Sequence, residues 1–391
     1  MNGVLVLEDG HFFTGERFGS TSNDGGEVVF NTSLTGYQEI LTDPSYAGQV
    51  VTLTYPHIGN YGINPGDLES AQVQVAALVV RDQSPTPSNW RSEKSLNDWL
   101  AETGTPGLCG VDTRALVLHL RENGALRGVI RDLPAELDLP LAGDASELSD
   151  SSASLLQGLV AEAAAIPSMS GLDLAQRVTC AQPYEMGDAD APWHVAVLDL
   201  GVKRNILRQL VQVGCRVTVL PAQTTAQAIR DLAPDGLMLS NGPGDPEPVT
   251  YAIETIRDLL GELPIFGICL GHQLLALSCG ARTYKLPFGH RGSNHPVRDL
   301  SSSRVEITAQ NHGFAVDAGS LPGSGLTLTH LHLNDDTVAG LRHRIHSAFS
   351  VQFHPEASPG PHDSHHLFTR FIDEMDKSAR VAKRSYGQEA S

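Results

Sequence analysis

The chain has 391 residues, 41% of them apolar and 18% charged, a soluble globular composition long enough for two domains. Lys and Arg number 27 against 45 Asp and Glu, a formal net charge of −18, which argues against a nucleic-acid or anionic-membrane surface as the main partner. The five cysteines form no CxxC pair, so neither a disulfide framework nor a zinc knuckle is expected, and a reducing cytoplasm fits.

The chain opens MNGVLVLED, which lacks a basic n-region and reaches acid at once, unlike a secretory signal. No apolar run approaches the length that crosses a bilayer, so no membrane segment is expected. The first ~130 residues read as β-rich. Val4–Leu7, Glu27–Phe30, Gln49–Tyr55 and Val73–Val80 are short apolar or β-branched runs set apart by Gly, Pro, Asn and Asp. Leu96–Leu100 and Asp112–Arg121 have helical spacing, which makes residues 1–150 an α+β domain. From about Leu139 to Ser170 the composition turns to Ala, Ser, Asp and Glu, which reads as a linker (151–191) carrying one helix around Leu155–Ala165.

From Trp193 the pattern changes. Strands at His194–Asp199, Cys215–Leu220, Gly236–Ser240 and Ile265–Cys269 alternate with helical spacings at Lys203–Val213, Ala222–Leu232, Val249–Leu260 and Gln273–Cys279. Four β-α units predict an α/β fold over 192–380 with a doubly wound, mostly parallel sheet. In such sheets the site lies beyond the carboxyl ends of the strands, where Asn241–Pro246 and Cys269 both fall.

The segment PIFGICLGHQ, Pro264 to Gln273, has the strand–tight turn–helix grammar of a nucleophile elbow, with Cys269 in place of serine. Its glycines suit a backbone bent too sharply for a Cβ, and the helix dipole favours a thiolate at that position. The alternative reading, a buried core cysteine, leaves the flanking glycines without a purpose. The best base among 16 histidines is His354 in FSVQFHPE, on a strand broken at Pro355, with Glu356 placed to turn back and orient the imidazole. The bland alternative there is an ordinary turn. The oxyanion of acyl transfer would meet the Leu270 amide and an amide of Gly242-Pro243-Gly244, although that stretch also reads as a plain turn. Gly201-Val202-Lys203-Arg204-Asn205 opens a helix and reads as a capped basic helix start rather than a phosphate site. His362, His365 and His366 have metal-like spacing without a Cys or a dense carboxylate cluster, and no metal is expected.

The Cys269 and His354 motifs together resemble those of class I glutamine amidotransferases. Further blocks, VVFNTSLTGYQEILTDPSY from Val28, YPHIGNYG from Tyr55, GVDTRA from Gly110, LGVKRNIL from Leu200, SNGPGDP from Ser240 and QNHGFA from Gln310, resemble the small subunit of carbamoyl-phosphate synthetase. The likeness runs from about residue 3 to 380. It implies a cytoplasmic glutaminase in which Cys269 is the nucleophile, His354 the base and acid, and Glu356 its orienting partner. Gly242 and Leu270 amides would hold the oxyanion, while Ser45, Gly244, Gln273, Asn311, Gly313 and Phe314 would bind L-glutamine. It also implies a heterodimer whose large subunit carries ATP, Mg and the bicarbonate chemistry and receives ammonia through a tunnel. This chain itself would need no cofactor, and the product would feed arginine and pyrimidine synthesis.

Overall fold

A computed structural model describes residues 2–134, 137, 139–148 and 151–389. The chain divides into two compact units, residues 1–172 with 287–292, and residues 173–286 with 293–391.

The first unit is built on an eight-stranded mixed sheet that closes on itself. Its order is Asn2–Leu7, Leu126–Asp132, Asp24–Asn31, Gln49–Leu53, Ala77–Val79, Pro106–Cys109, His11–Gly19 and Ala142–Asp144, and Asn2–Leu7 also pairs with His11–Gly19. Alternation along each strand sends side chains to opposite sides. Val28, Val50 and Val79 therefore join one cluster, while Val29, Val51 and Leu78 join another beneath the helices Tyr37–Thr42 and Leu96–Glu102. The strands His11–Gly19, Pro106–Cys109 and Leu126–Asp132 and the helix Tyr37–Thr42 were not anticipated. In those strands Gly and Pro hide the period of two, and the helix, at six residues, is too short to show a helical repeat.

The stretch read as a linker opens with the helix Ser151–Ala165. Leu156, Leu159 and Ala163 form a narrow apolar stripe that is buried against Val4, Val6, Phe12 and Val129. Serine and alanine dominate the composition there, but the stripe docks the helix into the first unit's core.

The second unit carries a ten-stranded sheet. Five strands, Cys215–Pro221, Trp193–Asp199, Gly236–Leu239, Ile265–Ile268 and Ala348–Val351, run parallel in that spatial order. The long strands Thr283–Asp299 and Val305–Val316, with Leu326–His332 and Val338–His343, extend it on one side. Both faces of the parallel part are covered. Val195, Val197, Met238 and Phe266 pack with Ile206, Leu207, Phe368 and Phe371 from the helices Arg204–Gln212 and His366–Glu389. Ala196, Leu198, Leu237 and Ile265 pack oppositely with Ile229, Ile256 and Leu274 from Ala226–Asp231, Thr250–Leu259 and Leu270–Ser278. Burial on both faces explains why these strands read as continuous apolar runs. The doubly wound expectation therefore matches the parallel part. The extension was missed because its strands mix exposed polar and buried positions without a clean alternation.

Candidate active site

The strand Ile265–Ile268 delivers Cys269 to the carboxyl edge of the sheet, and the helix Leu270–Ser278 starts at the next residue. Cys269 has φ 54° and ψ −103°, a conformation that non-glycine residues avoid and that persists only when surrounding bonds impose it. Those bonds are present. Cys269 N–H donates to Val351 O at 2.9 Å and Gly271 N–H to Ser240 O at 3.0 Å. The flanking glycines serve a different purpose from the one read in the sequence. A Cβ on Gly267 would lie 2.7 Å from Gly271 O, and one on Gly271 would lie 2.3 Å from Leu239 O. They let backbones touch, and the left-handed bend falls on Cys269 itself.

The strand Ala348–Val351 leads into His354, whose N–H donates to Ala309 O at 2.9 Å. His354 Nδ1 meets Glu356 Oε1 at 2.7 Å, and the same oxygen accepts from Lys203 Nζ at 2.9 Å. Lys203 Nζ also donates to Ala357 O, and Asn205 Nδ2 to Glu356 O. All the charged groups are enclosed: His354 is 3% exposed, Glu356 0% and Lys203 3%. Burial alone would lower the His354 pKa, but the Glu356 carboxylate and then the Cys269 sulfur outweigh it and raise it to about 10. For Glu356, burial opposes ionisation, yet Lys203 first and His354 second hold it at about 2. A glutamate on Nδ1 leaves Nε2 to face the sulfur. Nε2 is buried and makes no hydrogen bond among the described residues, and Cys269 Sγ donates to Asn311 O at 3.4 Å. The thiol and imidazole are thus coupled electrostatically, and such pairs tighten on the way to the transition state.

These shifts set a pH window. His354, raised above its ordinary 6.5, contributes stability that is full below pH 6.5 and is lost as pH rises through about 10. Glu356, depressed below 4.5, contributes stability that is full above pH 4.5 and is lost as pH falls through about 2. The melting temperature of the native chain should exceed that of His354→Gln most at about pH 6, with the gap closing steadily towards alkaline pH. A gap that widens with pH would show that His354 is buried neutral.

The other sequence candidates in this unit fall around the elbow. A Cβ on Gly242 would lie 2.1 Å from Leu200 O and 2.8 Å from Leu270 Cδ2, so the Gly242 backbone passes against the start of the elbow helix. Leu270 is the first residue of that helix, where an N–H has no intrahelical acceptor. Gly244 turns the loop with φ 90°. Gln273 Nε2 donates to Phe314 O at 2.8 Å and to Gln352 Oε1 at 3.1 Å. Asn311 accepts from the sulfur, and Gly313 lies between Asn311 and Phe314 on the strand Val305–Val316. Ser45 belongs to the first unit, in the buried turn Pro44–Tyr46, where its N–H donates to Asp43 Oδ1 at 2.9 Å.

Sequence reasoning missed Lys203, Asn205 and Gln352. Lys203 and Asn205 stand in the stretch read as a basic helix start, yet Lys203 points inward and ion-pairs with Glu356. Asn241 Oδ1 accepts from Lys203 N–H at 3.1 Å, which joins the Gly242 loop to this lysine. Gln352 Nε2 lies 3.8 Å from Cys269 Sγ.

Residues 5–130 match the family model "Carbamoyl-phosphate synthase small chain, CPSase domain", and residues 196–374 match "Glutamine amidotransferase class-I". The chain is 52% identical over 393 residues to the carbamoyl phosphate synthase small chain of Syntrophotalea carbinolica, covering 97% of this chain and 99% of that one. It is 55% identical over 377 residues to the small chain of Chlorobaculum tepidum, covering 96% and 98%. With the carbamoyl phosphate synthase pyrimidine-specific small chain of Halalkalibacterium halodurans the identity is 50% over 382 residues, covering 98% and 99%.

Proposed function

The chain belongs to the carbamoyl phosphate synthase small-chain family, and from that premise we propose that it is the glutamine-hydrolysing subunit of such a synthase. The observation that carries the chemistry is Cys269 on a strained elbow beside a His354 whose Nδ1 is held by Glu356 at 2.7 Å. The Cys269 thiol proton passes to His354 Nε2, and Sγ attacks the carboxamide carbon of L-glutamine. The amide oxygen gathers the negative charge, and the backbone N–H groups of Leu270 and Gly242 are the donors best placed to hold it. His354 Nε2 gives its proton to the leaving nitrogen, ammonia departs, and a glutamyl thioester remains on Cys269. Water then attacks the thioester while His354 takes a proton from it. Glutamate leaves, and Cys269 and His354 return to their starting state.

Gln273, Asn311, Gly313, Phe314 and Gly244 supply polar side chains and open backbone suited to the two ends of the amino acid. The partner is a large synthase subunit, with this chain and that one forming the basic heterodimer. It holds ATP and Mg and joins bicarbonate to the ammonia. Delivery through a sheltered passage fits the chemistry, because ammonia in neutral water becomes ammonium, which is no nucleophile. No described helix is long and apolar enough to cross a membrane. From the family likeness we infer a cytoplasmic protein whose complex makes carbamoyl phosphate for arginine and pyrimidine synthesis.

Quenching the chain with acid during turnover of glutamine should leave a glutamyl adduct on the peptide containing Cys269, readable by mass spectrometry. Turnover without an adduct under single-turnover conditions would remove the covalent route.

A further inference from the structure

On the first unit, four side chains from three separate stretches converge. Asp9 lies in the turn after Asn2–Leu7, His11 opens the strand His11–Gly19, His119 sits on the helix Thr113–Asn123, and Asp144 ends the strand Ala142–Asp144, in register opposite His11. His119 Nε2 lies 2.6 Å from Asp9 Oδ2. His11 Nδ1 lies 3.6 Å from Asp9 Oδ2 and 3.6 Å from Asp144 Oδ2. The donor atoms of Asp9, His11 and His119 all lie within 4.8 Å of one another, and the two imidazoles pack with centroids 3.9 Å apart.

We infer that Asp9, His11 and His119 form a binding site for a zinc-class divalent metal ion, with the Asp144 carboxylate beside His11 as its neighbour. Four N and O donors at zinc distances of ~2.0–2.2 Å, arranged tetrahedrally, stand about 3.3–3.5 Å from each other. The 3.6 Å separation of His11 Nδ1 from Asp9 Oδ2 matches that spacing, whereas Asp144 lies outside the set of mutually close donors. The 2.6 Å separation is a hydrogen bond, and the ion would replace the proton shared between His119 Nε2 and Asp9 Oδ2. The remaining oxygens are already committed: Asp9 Oδ1 accepts from His11 N–H at 3.1 Å, and Asp144 Oδ1 accepts from Ser146 N–H at 2.8 Å and Oγ at 2.6 Å. These bonds orient the two Oδ2 atoms towards the imidazoles, as outer partners of metal ligands do. A second observation points the same way. His11 Nδ1 is shielded from solvent and has no hydrogen-bond partner, because both facing carboxylate oxygens stand too far for a hydrogen bond. Two imidazoles with one carboxylate favour Zn²⁺ or Co²⁺ over Ca²⁺ or Mg²⁺, which prefer all-oxygen shells. The bound ion would tie the first hairpin to the helix Thr113–Asn123 and to the strand Ala142–Asp144.

The full-length chain, stripped with a chelator, should take up one equivalent of Zn²⁺ in calorimetry. Bound Co²⁺ should show the visible bands of a tetrahedral nitrogen–oxygen site with no sulfur-to-cobalt charge transfer. His11→Gln and His119→Gln, both at partly exposed positions, should each weaken Zn²⁺ binding by at least about tenfold. Failure of the native chain to bind at about 100 μM Zn²⁺, unchanged affinity in both variants, or a sulfur charge-transfer band would each overturn the site. A proton shared among these groups, with no metal, predicts the first of those results.

Discussion

Replacing Cys269 with serine is expected to abolish glutamine-dependent carbamoyl phosphate synthesis by the complex with its large subunit, while synthesis from added ammonia continues. The substitution is nearly isosteric, so the bonds from Cys269 N–H to Val351 O and from Gly271 N–H to Ser240 O remain and the elbow keeps its shape. What changes is the nucleophile. A serine hydroxyl holds its proton far more tightly than a thiol, and His354 and Glu356 are arranged for a sulfur that shares charge with an imidazolium. A loss of at least about 10³-fold in glutamine hydrolysis is expected. Ammonia-dependent turnover, which does not use this site, should stay within about twofold. Ammonia-dependent turnover shows that the large subunit still works, and co-purification of the variant with that subunit at an unchanged melting temperature separates a lost nucleophile from a misfolded chain. Retention of glutamine-dependent synthesis would remove Cys269 from the reaction.

How far the site could be read in advance depended on distance along the chain. The elbow is a local event: strand, bend and helix lie within 264–280, so their grammar is visible in PIFGICLGHQ. His354 and Glu356 are two residues apart and share the same advantage. Lys203 lies 153 residues from Glu356, and nothing in a helix start distinguishes an inward lysine from a solvated one. Only the fold, which carries the segments following the strands Trp193–Asp199 and Ala348–Val351 to the same carboxyl edge of the sheet, shows that its ammonium is buried. Gly267 and Gly271 were legible as glycines with a purpose, but the purpose depends on Leu239 O, a neighbour in another strand. The same holds for Asp9, His11, His119 and Asp144, whose spacing along the chain has no pattern until the fold brings the first hairpin, the helix Thr113–Asn123 and the strand Ala142–Asp144 together. The parallel part of the second sheet was legible because strands covered on both faces are apolar throughout. The extension of that sheet obeys no such rule.

Glu356→Gln should separate catalysis from stability in a way that assigns a role to Lys203. The amide keeps the shape of the carboxylate but loses its charge. His354 then loses the larger of the two attractions that keep it protonated, and burial, which opposes its charge, gains weight. Glutamine hydrolysis should fall by about 10²–10⁴-fold, mostly in kcat, because the general acid is lost or its tautomer is wrong. The same change strands the Lys203 ammonium, which Glu356 Oε1 holds at 2.9 Å in a nearly solvent-free setting. Removing one partner of a buried pair costs about 3–5 kcal/mol, so the melting temperature should drop as well. Adding Lys203→Met to Glu356→Gln removes the stranded charge and restores an apolar fit. The double variant should therefore recover most of the lost stability and none of the lost activity. Chemical denaturation of the four proteins, native, both single variants and the double, gives the coupling directly. Independent effects of the two substitutions would mean that the ion pair does not hold Glu356 in place. Recovery of activity in the double variant would mean that Glu356 acts through Lys203 rather than through His354.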